Sequence, residues 1–191
     1  MRIRSAPNRP RASQRARADF EQFVSASSDA LLRTAYLVVW DPAEAEDLVQ
    51  DCLLVVARRW PRVRGMDHPH AYARRVLINL ALDGAQRRTR RRMELLADGG
   101  PPISELADES SARRLHAVGV RAELIQALGT LPPRQRAVLV LRYFEDLSEA
   151  QVAELLGCSV GTVKSAASRA LTRLQTTLTP DISLSTKEHT R

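Results

Sequence analysis

Apolar side chains recur at three- and four-residue intervals along most of this chain, and no stretch alternates as a half-buried strand would. Residues 19–40, DFEQFVSASSDALLRTAYLVVW, place Phe20, Phe23, Val24, Leu31, Leu32, Ala35, Tyr36 and Val39 at helical spacing. The serines at 27 and 28 predict a break there and therefore two helices. In DPAEAEDLVQDCLLVVARRW, Asp41 is an N-cap, Pro42 the first helical residue, and Arg58 and Arg59 close the last turn. PRVRGMDHP reads as a loop punctuated by Pro61, Gly65 and Pro69. HAYARRVLINLALDGAQRRTRRR is then a long helix, with Val76, Leu77, Leu80 and Ala81 inward and a basic C-terminal end.

The pattern lapses at Met93. Residues 93–112 hold five acids, no Lys or Arg, and a Gly-Gly-Pro-Pro centre, which is linker composition. From about residue 120 to 178 the helical period returns in four stretches, separated by GTLPP, EDLS and GCS. Within LSEAQVAELLGCSVGTVKSAASRAL, Ser148 caps a helix whose apolar face is Val152, Leu155 and Leu156. Gly157 suits the left-handed conformation that stops it, and Ser159 caps the next helix. Val160, Val163, Ala167 and Leu171 are the expected inner stripe of that second helix. Two short helices across a tight glycine turn form a helix-turn-helix, whose second helix enters the major groove.

Gly161, Thr162, Lys164, Ser165, Ser168 and Arg169 then face outward. Ser159 and Thr162 offer hydroxyls and helix-terminal amides to phosphate, Lys164 a charge, and Arg169 either a charge or a guanine contact. The bland alternative is a solvated polar face, but a hydroxyl-rich face nearly free of Glu fits DNA better.

Composition narrows the classes. The 191 residues carry a formal net charge of +7, with 44% hydrophobic but only 4% aromatic side chains. Packed helices and a polyanionic partner follow more readily than an aromatic-rich sheet. No apolar run approaches the ~18 residues of a membrane span, so no membrane insertion is expected. Cys52 and Cys158 lie far apart without metal-ligand spacing and read as small hydrophobes in a reduced, cytoplasmic protein. His68 and His70 flank a proline as surface residues. With no Gly-rich phosphate loop, ligand cluster or Ser/His/Asp arrangement, no catalytic residue, metal or cofactor is expected. The first eighteen residues hold six Arg and no acid, a disordered basic arm that is either a solvated tail or a phosphate contact.

The block before the linker is more discriminating. Asp47, Gln50 and Asp51 stand at i, i+3 and i+4 on one helix face, opposite Leu48, Cys52 and Val55. This is either a docking face for a basic protein surface or an ordinary solvated acidic turn. Four passages together, DPAEAEDLVQDCLLVVARRW, AYARRVLINLALDGAQRR, LPPRQRAVLVLRYFEDLSEAQVAELLG and CSVGTVKSAASRAL, make the chain resemble an extracytoplasmic-function sigma factor of the sigma-70 family, the small two-domain type. The stretch ARRWPRVRGMDHPHAY resembles an actinobacterial branch of that group.

The resemblance implies an all-α protein. It has a basic arm (1–18), a region 2-like domain (19–92), an acidic linker (93–119), a region 4-like helix-turn-helix domain (120–178) and a polar tail (179–191). It implies binding to core RNA polymerase, at the β′ clamp through Asp47, Gln50 and Asp51 and at the β flap, and to promoter DNA. Asn79 matches the asparagine that holds a flipped −10 base, and the loop 61–69 the rest of that pocket. Tyr72, Arg74, Arg75, Arg87 and Arg88 join it as −10 contacts, with Arg90, Arg91 and Arg92 continuing the positive track. Arg142 and the second helix of the helix-turn-helix, with Ser159, Thr162, Lys164, Ser165, Ser168 and Arg169, match the −35 reader.

Two positions depart from the family pattern. Tyr72 stands where Trp is usual, and Ala166 where Arg is frequent, which removes one DNA contact. The linker acids either mimic transcript charge in the RNA path or keep a tether off DNA. An anti-sigma factor is a further expected partner. An autonomous helix-turn-helix regulator is the alternative, but it has no use for EDLVQD beside an Arg-laden, Asn-bearing helix.

Overall fold

The computed structural model describes residues 9–97 and 122–178, and every regular element among them is helical. Four helices precede the gap: α1 (Arg9–Val39), α2 (Pro42–Arg58), the single turn α3 (Trp60–Val63) and α4 (Pro69–Ala97). Four follow: α5 (Ala122–Gly129), α6 (Pro133–Leu139), α7 (Glu149–Leu156) and α8 (Val160–Leu178), with a π-helical turn over Val140–Phe144 extending α6.

α1 is continuous where a break at Ser27–Ser28 is expected. The reason is local. Ser27 Oγ donates to Phe23 O and Ser28 Oγ to Val24 O, both at 2.7 Å, so the hydroxyls turn back on the helix instead of competing with it. Ser27 is also buried and meets His70 Nδ1 at 2.8 Å. The helix starts at Arg9, so residues 9–18 of the expected disordered arm are helical here. Residues 1–8 and the tail 179–191 lie outside the described residues, as does most of the acidic linker; its first residues, 93–97, prolong α4.

Trp40 ends α1 at a φ of 66°, while its N–H still reaches Tyr36 O at 2.8 Å. Asp41 then accepts from Glu44 N at 2.7 Å and starts α2 with Pro42 in its first turn, as its sequence predicts. α1, α2 and α4 pack side by side around Leu31, Ala35 and Val38 of α1, Cys52 and Val56 of α2, and Leu77, Ile78 and Ala81 of α4. α3 covers one end: Trp60 packs on the adjacent rings of Phe20 and Phe23, at ring distances of 5.2 and 5.0 Å. Edge and tilted contacts of this kind add specificity to the area that they bury. Cys52 is fully buried, donates to Ala73 O at 3.2 Å, and is a free thiol, as is Cys158.

In the second half, Ser148 and Gln151 form a reciprocal capping box at the start of α7. Gly157 closes α7 at a φ of 61°, and Ser159 caps α8 by accepting from Thr162 N at 3.1 Å. This is the helix-turn-helix expected from its sequence. The inner stripe of α8 is shifted, however: Val163, Ala166, Ala170 and Leu174 are buried, whereas Val160 and Leu171 are exposed. The choice of stripe was set by which face α6 and α5 cover, and α8 packs against both as well as α7. Ala166, expected to mark a lost DNA contact, lies against the core.

The two halves touch. Apolar side chains of α6 and the π turn, including Val138 and Leu141, join the core cluster of the N-terminal helices.

Candidate nucleic-acid and polymerase interfaces

Burial of Ala45, Leu48, Val49, Cys52 and Val56 turns one side of α2 inward, which leaves Asp47, Gln50 and Asp51 exposed together on the other. Val55, expected inward, is only half-buried. The next exposed position along that face is Leu54, 55% accessible, an apolar neighbour that the sequence reading passed over. Its signal was available: it stands three residues after Asp51, inside an otherwise polar stripe. Two carboxylates, an amide and one aliphatic side chain can bind a basic protein surface and bury a small apolar patch with it.

α4 divides the expected −10 residues into two groups. At about 100° per residue, Tyr72, Arg75 and Asn79 share one face, with Arg87 flanking it. The side chains of Arg75, Asn79 and Arg87 make no hydrogen bond or ion pair with another described residue. Tyr72 OH accepts from Arg59 Nη1 at 2.9 Å, which fixes the ring at the head of that face. Arg74 and Arg88 point to the other side of the helix. Arg74 Nη2 lies 2.7 Å from Glu145 Oε2 in the second domain, and Arg88 pairs with Glu44 of α2. The structure therefore does not bring these two arginines to Asn79, contrary to expectation, because the i to i+5 spacing from 74 to 79 spans well over a third of a turn.

Beside the α4 face, residues of the 61–69 loop form an open concavity of about 520 Å³, lined by Asp19, Trp60, Pro61, Arg64, Gly65 and Pro69. Arg64 and Asp19 approach to 3.6 Å across it. The first part of this segment is helical, not loop: Pro61–Val63 belong to α3. Trp60 Nε1 is buried beneath with no acceptor among the described residues. A partly apolar surface with a cation and a carboxylate at its edge can hold a planar heterocycle.

On α8, Gly161, Thr162, Lys164, Ser165, Ser168 and Arg169 are all exposed, as is Ser159 before them. Ser159 Oγ and Thr162 Oγ1 are 2.9 Å apart at the helix N-terminus. Lys164 Nζ is 3.7 Å from Glu149 Oε2, an exposed contact that contributes little in water. Arg142 differs from these. Its guanidinium donates to Leu147 O and lies over the Tyr143 ring at 5.7 Å, so it holds the turn into α7.

Two charged residues went unnoticed in the sequence. Glu145 pairs with Arg74 and accepts from Thr34 Oγ1. Arg136 is buried, and desolvation lowers its guanidinium to about 10, opposed by the nearby Glu44 carboxylate. Glu145 has no local sequence signal, since its partners lie on the first domain, whereas Arg136 also donates to Gly129 O of its own domain at 3.5 Å. Among the described residues no group of His, Cys, Asp and Glu could hold a metal, and no helix is long and apolar enough to cross a membrane.

Comparison with known proteins agrees with this layout. Residues 23–92 match Sigma-70 region 2 and residues 121–174 match Sigma-70, region 4. The chain is 39% identical over 157 residues to an RNA polymerase sigma-E factor of Streptomyces avermitilis, covering 82% of this chain and 83% of that protein. It is 40% identical, at 82% and 84% coverage, to the RNA polymerase sigma-E factor of Streptomyces coelicolor. A solved sigma factor, RpoE of Bartonella quintana in complex with the anti-sigma factor NepR, superposes with a TM-score of 0.61 at 28% identity, over 85% of this chain and 98% of that one. Two sigma regions in order, on the two domains that carry the exposed faces, leave one conclusion: the chain belongs to the extracytoplasmic-function group of the sigma-70 family, of actinobacterial type, an RNA polymerase sigma factor whose partners are core RNA polymerase and promoter DNA.

Proposed function

We propose a division of labour among three exposed faces. Asp47, Gln50 and Asp51 dock on the β′ clamp of core polymerase, with Leu54 adding apolar contact, while the second domain meets the β flap. Tyr72, Arg75, Asn79 and Arg87, with the 61–69 concavity, bind the −10 element and hold an extruded base. Flipping a base costs a few kcal/mol, which an amide reading its edge and cations on the backbone offset. Ser159, Thr162, Lys164, Ser165, Ser168 and Arg169 read the −35 element, and Arg142 touches its backbone.

The observation that carries the reading is the isolation of Asp47, Gln50 and Asp51 on α2: three polar side chains on one exposed stripe, backed by a fully apolar one. An autonomous regulator needs no such face. The protein acts in the cytoplasm, where polymerase and promoter are, and contributes binding and positioning with no chemical step of its own. An anti-sigma factor that covers these faces would hold it inactive.

The test is co-elution of the purified chain with core RNA polymerase on size exclusion, beside the D47A/D51A variant. Co-elution of the natural chain and its loss in the variant are expected. A folded natural chain that fails to co-elute would return the question to an autonomous regulator.

A further inference from the structure

We propose that the start of α1 and the exposed arginines of α3 form a second nucleic-acid surface, a cationic ridge that holds the phosphate backbone of the melted strand where it continues past the −10 element; the position of that strand rests on the division of faces proposed above, and the ridge itself does not.

α1 outruns the bundle that it belongs to. Phe20 is its first large side chain to pack, against Phe23 and Trp60. Eleven helical residues, 9–19, come before it. At ~1.5 Å per residue they reach roughly 16 Å beyond that contact. The match to Sigma-70 region 2 begins at residue 23, so this stretch is an addition to the fold that the family shares.

The local sequence explains why the addition is helical. Pro10 stands in the first turn, where its missing N–H has no intrahelical partner to lose. Ala12, Ala16 and Ala18, with Gln14, Arg15 and Arg17, are strong helix formers. They prolong a helix whose nucleus the packed part of α1 has already supplied.

Stability does not explain its charge. Arg9 and Arg11 occupy the first turn and no acid does, so the helix dipole opposes the charges there. Arg15 is exposed with no partner among the described residues. Arg17 meets Glu21 at 2.9 Å, but both side chains are well exposed and the pair contributes little.

α3 adds cations beside the arm. Its buried residues are Trp60 and Val63, which turns Arg62 to solvent, and Arg64 lies 3.6 Å from Asp19 of α1. That contact joins α3 to the arm at the rim of the 520 Å³ concavity. Arg59, just before α3, donates to Tyr72 on the −10 face. Five arginines, 15, 17, 59, 62 and 64, therefore run from the arm past the concavity to Tyr72. Of the acids among them, Asp19, Glu21 and Asp67, the first two are already opposed by arginines.

Spaced cations with no amide or hydroxyl beside them suit phosphates, not the edge of one base. Chain order gives the direction. The C-terminal end of α4 leads to the second domain, which is proposed to read the upstream −35 element. The other end of α4, with the concavity and the arm, lies on the side where the DNA is melted, and a positive groove that follows the backbone is how single strands are held.

Salt titrations of the holoenzyme on a forked promoter, duplex down to the −10 element and single-stranded beyond it, test the ridge. R15A/R17A keeps the helix, since alanine forms one at least as well as arginine. It should co-elute with core polymerase as the natural chain does, and lower the slope of log K against log salt by about 1.4, two phosphates at ~0.7 each. R15K/R17K, which keeps both charges, should retain the natural slope. With the single strand cut back to the −10 element, the natural chain and R15A/R17A should coincide. An unchanged slope in R15A/R17A overturns the proposal, as does a difference that survives the cut. Loss of co-elution in R15A/R17A overturns it too, by making the arm a polymerase contact. N79A separates the two readings. Full affinity for the fork in N79A, with a lowered slope in R15A/R17A, strikes the −10 face and leaves the ridge, whereas the reverse strikes the ridge alone.

Discussion

Asn79 and Arg74 are five residues apart on α4 and stand roughly 140° apart around its axis. One side chain is exposed, with no partner among the described residues, and the other is held by Glu145 of the second domain. The arginine-rich helix is therefore not a uniform positive track. Asn79 and Arg75 on one side meet solvent, while Arg74 and Arg88 on the other are held by carboxylates.

This separation predicts opposite outcomes for two substitutions. N79A should lower run-off transcription about tenfold or more on a promoter with an intact −10 element, the scale of one base-reading contact at ~1–3 kcal/mol. R74A should not lower it. Equal losses in the two variants would return Arg74 to the DNA-binding set.

The recognition helix can be checked by its salt dependence. Lys164 and Arg169 are exposed and carry no buried partner. For the holoenzyme on a promoter, K164A should weaken binding to matched and mismatched −35 sequences alike, and reduce the slope of log K against log salt by about 1. R169A should weaken binding too, with a greater loss on the matched sequence if its guanidinium meets a base. Filter-binding titrations over a salt series measure both, and an unchanged slope in K164A would remove its phosphate contact.

Gly157 offers a cleaner stability test. A Cβ there meets nothing within 4 Å, so only its φ of 61° opposes a side chain. G157A should cost about 1–2 kcal/mol, and G157V more, as a lowered melting temperature of the chain with helix content retained. No difference between natural chain and G157V would mean that the turn does not need the left-handed conformation.

Cys52 links burial to pH. Desolvation raises its thiol to about 12, against an ordinary value near 9. The folded chain keeps this proton while the unfolded chain releases it, so stability should decline as pH rises from about 9 towards 12. C52A removes that part of the decline, and urea titrations at a series of pH values measure it. At pH 8 the folded chain should be alkylated at Cys158, which is partly exposed, and spared at Cys52. Rapid labelling of both would indicate that the core opens at that site.

Much of this architecture is written locally. Asp41 before Pro42, Ser148 three residues before Gln151, and Gly157 before a serine cap determine where α2, α7 and α8 begin and end, because caps act within a few residues through backbone hydrogen bonds. The exposed faces of α2 and α8 follow from the same periodicity, and with them the residues proposed for docking and for the −35 element. Periodicity was less reliable where neighbouring turns offered equivalent stripes. Val160 and Leu171 looked as suitable for the interior as Ala166 and Ala170, and the packing of α5 and α6 selected the latter. Ser27 and Ser28 were misleading in isolation, since a serine within a helix can bond backward as easily as break it.

The sequence by itself determined most of the helices, the caps of α2, α7 and α8, the helix-turn-helix and the family, all of which depend on interactions or patterns spanning few residues. Tertiary structure alone decided which side of α4 is free, that Glu145 joins Arg74 and Thr34, and that Trp40 packs on Gly129. Those pairings connect residues from 71 to 111 positions apart, and no local spacing encodes them: charge and shape complementarity between two domains exists only once both have folded and met.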